Sequence, residues 1–166
     1  MTGAGDVTPA KTVLVEVFAG VGSVARGFES AAPFRAAYLC DTDPVCRATY
    51  LANGGKEASY HLADVSRLNA REVRDHIGAL PIGGLLGCPP CQGWSTAGRR
   101  RLDDRRTSLV GDFFRLASEL EPQFVVMENV PVVASRPEFK VALGTDGAAY
   151  DWWVGVLNAG AYGLPQ

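Results

Sequence analysis

Two cysteines stand three positions apart, with two prolines between them, in "GCPPCQGWS", Gly87 to Ser95. Three chemistries suit such a pair: redox exchange, half of a metal site, or one nucleophile. A thioredoxin-like pair needs its first cysteine exposed at a helix N-terminus, where the dipole lowers the thiol pKa. Here Cys88 instead closes an apolar run. A structural zinc site needs four ligands, and Cys40, Cys46, His61 and His76 offer no second tight pair at the usual spacing. No metal is expected. A lone nucleophile at Cys91 fits better, with Cys88 packing as a small hydrophobe. Glu128 is the second candidate, in "MENV" at the end of the apolar run "PQFVVM". A carboxylate placed there is expected to be partly desolvated, with its pKa raised so that it holds or shares a proton near neutrality. Its plainer use is to cap the following turn. Between these groups lies "GRRRLDDRRT", where Arg99, Arg100, Arg101, Arg105 and Arg106 outnumber Asp103 and Asp104. Such a loop beside a catalytic crevice suits a phosphate backbone, and a solvated loop has the same composition.

A further constellation sits near the start of the chain. "FAGVG", Phe18 to Gly22, lies where an apolar run meets a helical one. Glycines there let backbone approach a ligand while helix N–H groups face it. The same glycines also serve a packing turn without ligand. Asp41 and Asp43 follow roughly 20 residues later, the position at which a carboxylate accepts hydrogen bonds from ribose hydroxyls. Asp64 comes next, near where an adenine ring would lie. Each acid alone could cap a helix or a turn, but three at successive strand ends form a pattern.

The elements that must position these groups alternate along the chain. "TVLVEVFAG", "FRAAYLCDTD", "HLADV", "IGGLLGC" and "PQFVVMENV" read as strands. "GVGSVARGFESA", "PVCRATYLANGG", "NAREVRDHIGAL" and "TSLVGDFFRLASEL" read as helices, the second with Pro44 at its start. One more helix is expected around Trp152 and Leu157. This alternation predicts an α/β fold with a mostly parallel, doubly wound sheet and its sites at the carboxyl ends of the strands.

The chain has 166 residues, 47% hydrophobic and 20% charged, with a formal net charge of -2. Those values fit one soluble domain with a real core. The charge argues against wholesale attraction to nucleic acid but leaves room for the local arginine patch. No apolar run approaches the roughly 20 residues that span a bilayer. Residues 1–12, "MTGAGDVTPAKT", have neither the basic start nor the apolar stretch of a secretory signal. They read as a flexible leader in a cytoplasmic protein, where disulfides are not expected.

Taken together, these residues resemble the cytosine-C5 DNA methyltransferase family. "FAGVGSVARGF" is similar to its first cofactor motif and carries Phe18, Ala19, Gly20, Gly22, Ser23 and Val24. "DTD" (Asp41, Thr42, Asp43) resembles its ribose-binding acids and "ADV" (Asp64, Val65) its adenine-side motif. "GCPPCQGWS" resembles the nucleophile motif, and "ENV", with Glu128 and Asn129, the glutamate motif. All five stand in the family's order, from about Val13 to Gln166, which is about the first half of a typical catalytic domain. The resemblance implies a Rossmann-like S-adenosylmethionine-dependent methyltransferase sheet, incomplete at its carboxyl-terminal strands, over residues 13–166.

It also implies a chemistry. Cys91 attacks C6 of a flipped cytosine, Glu128 serves N3, and C5 takes the methyl group from S-adenosyl-L-methionine. Pro90 orients the nucleophile loop, Asn129 helps hold the crevice, and Leu109 is an apolar contact on the cofactor. Gln92, Ser95, Arg99 and Arg106 fall on the nucleic-acid side, with Arg106 steadying the closed loop on phosphate. Ser23 stands where the family often has another glycine, and Trp94 where phenylalanine is commoner. The arginines that follow "YG-x-PQ", the target-recognition region and the final motifs are absent, so double-stranded DNA and a carboxyl-terminal half or second subunit are the implied partners. The resemblance points to a restriction-modification enzyme. An inactive remnant or regulatory module that binds the cofactor, and an RNA cytosine-C5 methyltransferase, remain alternatives. With later strands missing, "QFVVMEN" is expected to form a long, bare, apolar sheet edge.

Overall fold

The computed structural model describes residues 11–31, 33–90 and 109–164. Its strands are β1 (Thr12–Val17), β2 (Phe34–Asp41), β3 (Tyr60–Leu62), β4 (Ile82–Gly87) and β5 (Phe124–Met127). Its α-helices are α1 (Ser23–Ala31), α2 (Pro44–Ala52), α3 (Ala70–Ile77), α4 (Leu109–Leu120) and α5 (Pro137–Gly144). The strands form one sheet in the order β3-β2-β1-β4-β5, and all four pairings are parallel. Successive strands therefore run outward from β1 one way and from β4 the other. Ligands bind such sheets at the carboxyl ends beside that reversal.

Strands buried on both faces explain the near-continuous apolar runs. Leu14, Leu39 and Leu86 enter one core cluster, where α1 contributes Ala25. Their neighbours Val15, Tyr38, Cys40 and Leu85 enter the other, with Val73 of α3 and six residues of α4. Those six, Val110, Phe113, Phe114, Leu116, Ala117 and Leu120, recur at helical spacing and form the buried face. The close seat of α4 depends on Gly87. A Cβ there would stand 2.7 Å from the Phe113 ring, so the last residue of β4 must be glycine for α4 to pack just before the cysteine segment.

Three expectations are corrected. β3 begins at Tyr60 and ends at Leu62, so Asp64 lies in the turn beyond it. There its Oδ1 accepts from the Ser66 N–H (3.0 Å) and hydroxyl (2.8 Å), and the Arg67 N–H closes the turn on the Asp64 carbonyl (2.9 Å). β5 does occupy the sheet edge, but it is four residues long rather than a long edge. The helix expected around Trp152 and Leu157 is absent. Residues 151–158 have no regular structure, and the helical residues lie instead at α5 and in a short 3-10 turn, Ala159–Tyr162. Gly155 between Val154 and Val156 is poor helix sequence, and Trp152 is held by an indole N–H bond to the Gly147 carbonyl (2.8 Å).

Candidate active site

The glycine loop turns sharply between β1 and α1. Gly20 and Gly22 take left-handed φ values of 51° and 75°, and the Gly22 N–H closes the turn on the Ala19 carbonyl at 2.8 Å. Gly22 has a second reason to lack a side chain, since a Cβ would stand 2.7 Å from Tyr50. Phe18, with φ of 53°, is a rare non-glycine in this region. Strain of that kind is held where the surroundings over-determine the backbone. Here they do so by three bonds. The Gly20 N–H donates to Asp41 Oδ2 (2.9 Å), the Tyr60 hydroxyl donates to the Gly20 carbonyl (2.5 Å), and the Ala19 N–H donates to the Cys40 carbonyl (3.0 Å).

Beneath the loop lies Glu16, which is 1% exposed. Its Oε2 accepts from the Ala25 N–H at 3.1 Å, in the first turn of α1, where a helix has unpaired N–H groups. Burial pushes its pKa up to about 7, against the pull of the Ala25 and Val24 N–H groups.

A cavity of about 230 Å³ opens at the carboxyl ends of the strands, lined by Phe18, Asp41, Thr42, Ala63, Asp64, Val65, Cys88, Pro90 and Leu109. It gathers residues from the ends of β1, β2 and β4, from the turn after β3, and from the start of α4. Ligand clefts usually run to roughly 300–1,000 Å³, so this space takes part of a drug-sized ligand. Its donor set suits a nucleoside. Phe18, Ala63, Val65 and Leu109 offer apolar walls for a ring, and Asp41 and Asp64 offer carboxylates for hydroxyl or amino groups. Asp41 spends one oxygen on Gly20 and the other on the Asp43 N–H (3.1 Å), which leaves lone pairs free on both. Hydrogen bonds from Ser66 hold the Asp64 carboxyl below its ordinary range. Both features fit the adenosine portion of S-adenosylmethionine.

The other proposed cofactor residues are placed differently. Ala19, Gly20 and Gly22 shape the loop, while Ser23 and Val24 begin α1, and none of these lines the cavity. Asp43 is used by α2, where its Oδ1 accepts from the Val45 N–H at 2.8 Å as the N-cap.

The second half of the site forms where β4 and β5 end together. Gly87 pairs with Met127, and beyond that pair the Glu128 N–H donates to the Gly87 carbonyl at 3.0 Å. Asn129 then reaches across, its Nδ2 donating to the Pro89 carbonyl at 2.8 Å. This bond anchors the backbone two residues before Cys91. Glu128 is exposed, which corrects the expected partial desolvation, because β5 is the edge strand and nothing described covers its end. Cys88 is half-buried and lines the cavity, so it is more than packing. Burial first, and then the negative charge of Glu128, push its thiol up to about 12. Cys91, Gln92, Ser95, Arg99 and Arg106 lie outside the described residues. Among the described residues no group of three or more metal-ligating side chains occurs, and no helix is long and apolar enough to cross a membrane.

Sequence reasoning passed over Glu16, Tyr60 and this position of Cys88, and touched Ala63 only as the first residue of "ADV". Glu16 carried a signal, since an acid inside "TVLVEV" must be buried with its strand.

An open parallel sheet with a glycine loop, strand-end acids and this cavity is the Rossmann-like architecture of methyltransferases. Among solved structures, a prophage-encoded DNA modification methyltransferase of Escherichia coli superposes with a TM-score of 0.71 at 30% identity, over 85% of this chain and 39% of that one. The sequence profile of C-5 cytosine-specific DNA methylases matches residues 13–166, and the chain belongs to that family. The type II methyltransferase M.XorII of Xanthomonas oryzae is 36% identical over 160 residues, which cover 92% of this chain and 37% of that protein. M.AquIA of a Picosynechococcus species is 32% identical, over 92% of this chain and 67% of its own length. The chain thus spans between about a third and two thirds of these relatives.

Proposed function

We propose that this chain is the amino-terminal catalytic portion of a DNA cytosine-C5 methyltransferase that uses S-adenosyl-L-methionine and works in the cytoplasm with a carboxyl-terminal portion. One observation carries the reading: the cavity that suits a nucleoside and the paired ends of β4 and β5 meet at Cys88 and Pro90. A ligand held by Asp41, Asp64 and the Phe18, Val65 and Leu109 walls would lie beside the segment that carries Cys91. The cofactor supplies an electrophilic methyl group.

The chain's own residues supply the rest. Cytosine C5 is a poor nucleophile until a thiolate adds to C6. Cys91 makes that bond, and Glu128 donates a hydrogen bond or proton to N3, so the ring electrons collect at C5, which takes the methyl group. Loss of the C5 proton and expulsion of the Cys91 thiolate restore the ring. The exposure of Glu128 suits this task, because an extruded base must reach it from outside the sheet. Asn129 fixes the Pro89 carbonyl and, through Pro90, the approach of the cysteine. Gln92, Ser95, Arg99 and Arg106 serve the DNA side.

Two surfaces support a carboxyl-terminal portion, as a second subunit or the continuation of a longer chain. Among the described residues the backbone of β5 has one neighbour, β4. Trp153 and Val156 are each 75% exposed, and Val154 and Leu157 beside them are exposed too, an apolar stretch that a further portion of the enzyme would cover. The test is transfer of labelled methyl from S-adenosylmethionine to duplex DNA and to RNA, with and without the carboxyl-terminal portion of a relative. DNA labelling that requires both portions is expected. Labelling of RNA alone would move the substrate assignment, and no transfer with either portion would favour an inactive cofactor-binding module.

A further inference from the structure

We propose that Cys88 is a positioning residue for Glu128: its thiol donates a hydrogen bond to the Glu128 carboxylate and fixes that side chain at the end of β5. The inference rests on the reading of Glu128 as the group that serves the cytosine ring.

The geometry starts from register. Gly87 and Met127 are paired, so Cys88 and Glu128 follow as neighbours on adjacent parallel strands. The backbone there is secured by the Glu128 N–H on the Gly87 carbonyl (3.0 Å) and by the Asn129 amide on the Pro89 carbonyl (2.8 Å). The Glu128 side chain is exposed on an edge strand, and a carboxylate in that setting samples several rotamers unless a donor holds it. Paired positions on adjacent strands project their side chains to the same face, so the Cys88 thiol is the donor that the register sets beside the Glu128 carboxylate.

The thiol is also suited to remain a donor. Burial and the charges of Glu128 and Glu16 hold its proton at neutral pH. A group so held is a poor nucleophile, which separates its role from that of Cys91. Because Cys88 also lines the cavity, it joins the wall of the cofactor space to the carboxylate that meets the base. Serine would keep the donor in a smaller side chain, and alanine would remove it.

The direct test is the S–H stretching band of the 166-residue chain in the infrared, assigned to Cys88 by its loss in Cys88→Ala. Glu128→Gln should move that band to higher frequency, since an amide is a weaker acceptor than a carboxylate. A band that stays in place would overturn the proposal. In the assembled enzyme, Cys88→Ala should lower kcat roughly fivefold with little change in the KM for S-adenosylmethionine, the effect of losing one modest hydrogen bond. Cys88→Ser should restore most of it. Equal rates for wild type, Cys88→Ala and Cys88→Ser would also overturn the proposal. Full turnover by Glu128→Gln together with a shifted S–H band would instead remove Glu128 from catalysis and leave the hydrogen bond standing.

Discussion

Glu16 makes the stability of this protein depend on pH in a way that a single substitution isolates. The carboxyl is 1% exposed, and burial raises its pKa from 4.5 to about 7. Between those values the folded protein keeps a proton that the unfolded chain releases, so this group's contribution is fully present below about pH 4.5 and is lost as pH rises through about 7. At about 1.4 kcal/mol per pH unit, the loss amounts to about 3 kcal/mol. Other groups have their own pH dependence. Asp64 and Glu119, both held below their ordinary range, act in the opposite direction and lose stability as pH falls. The comparison is therefore wild type against Glu16→Gln, which retains an acceptor for the Ala25 N–H but cannot ionise. Urea denaturation across about pH 4.5 to 8 should show wild type losing about 3 kcal/mol relative to the variant over the interval. Parallel stability curves would refute the reasoning, because Glu16 would then titrate alike in both states.

Asp64→Ala should weaken binding of S-adenosylhomocysteine by about tenfold, the effect of losing hydrogen bonds from a charged acceptor; calorimetry on both proteins checks it, and equal heats would remove Asp64 from the site. Phe113→Ala empties a fully buried ring position against Gly87, and should cost about 3–5 kcal/mol in urea unfolding. Replacing exposed Trp153 and Val156 by serine should change that stability by less than about 0.5 kcal/mol each, while weakening association with the carboxyl-terminal portion in a sedimentation assay.

The sheet was legible because five apolar runs alternate with helical ones, and a strand buried on both faces leaves little room for another reading. The expected strands and the observed ones differ mainly at their ends. Asp64 shows why: the Ser66 hydrogen bonds that end the strand early come from a residue with no apolar signal. The region around Trp152 misled for the opposite reason. Its apolar content matched a buried helix, but Trp153, Val156 and Leu157 are exposed, and composition does not say whether an apolar residue has a partner. Within the site, the roles of Phe18, Asp41, Asp64, Val65 and Leu109 were argued from motif order, and the structure gathers them around one cavity. The split between Asp41 and Asp43 was not legible, since both are aspartates at a strand end and only the helix-capping bond to Val45 separates them. The exposure of Glu128 was hidden as well, because a sequence does not show that its strand lies at a sheet edge.

The most direct test of the catalytic assignment is covalent capture. Duplex DNA carrying 5-fluorocytosine at the target position, mixed with S-adenosylmethionine and the assembled enzyme, blocks the final loss from C5 and should leave the base bonded to protein. Peptide mass spectrometry should place the adduct on Cys91, with none formed by Cys91→Ser and adduct retained by Cys88→Ser. An adduct on Cys88, or methyl transfer to cytosine C5 that continues in Cys91→Ser, would contradict the account.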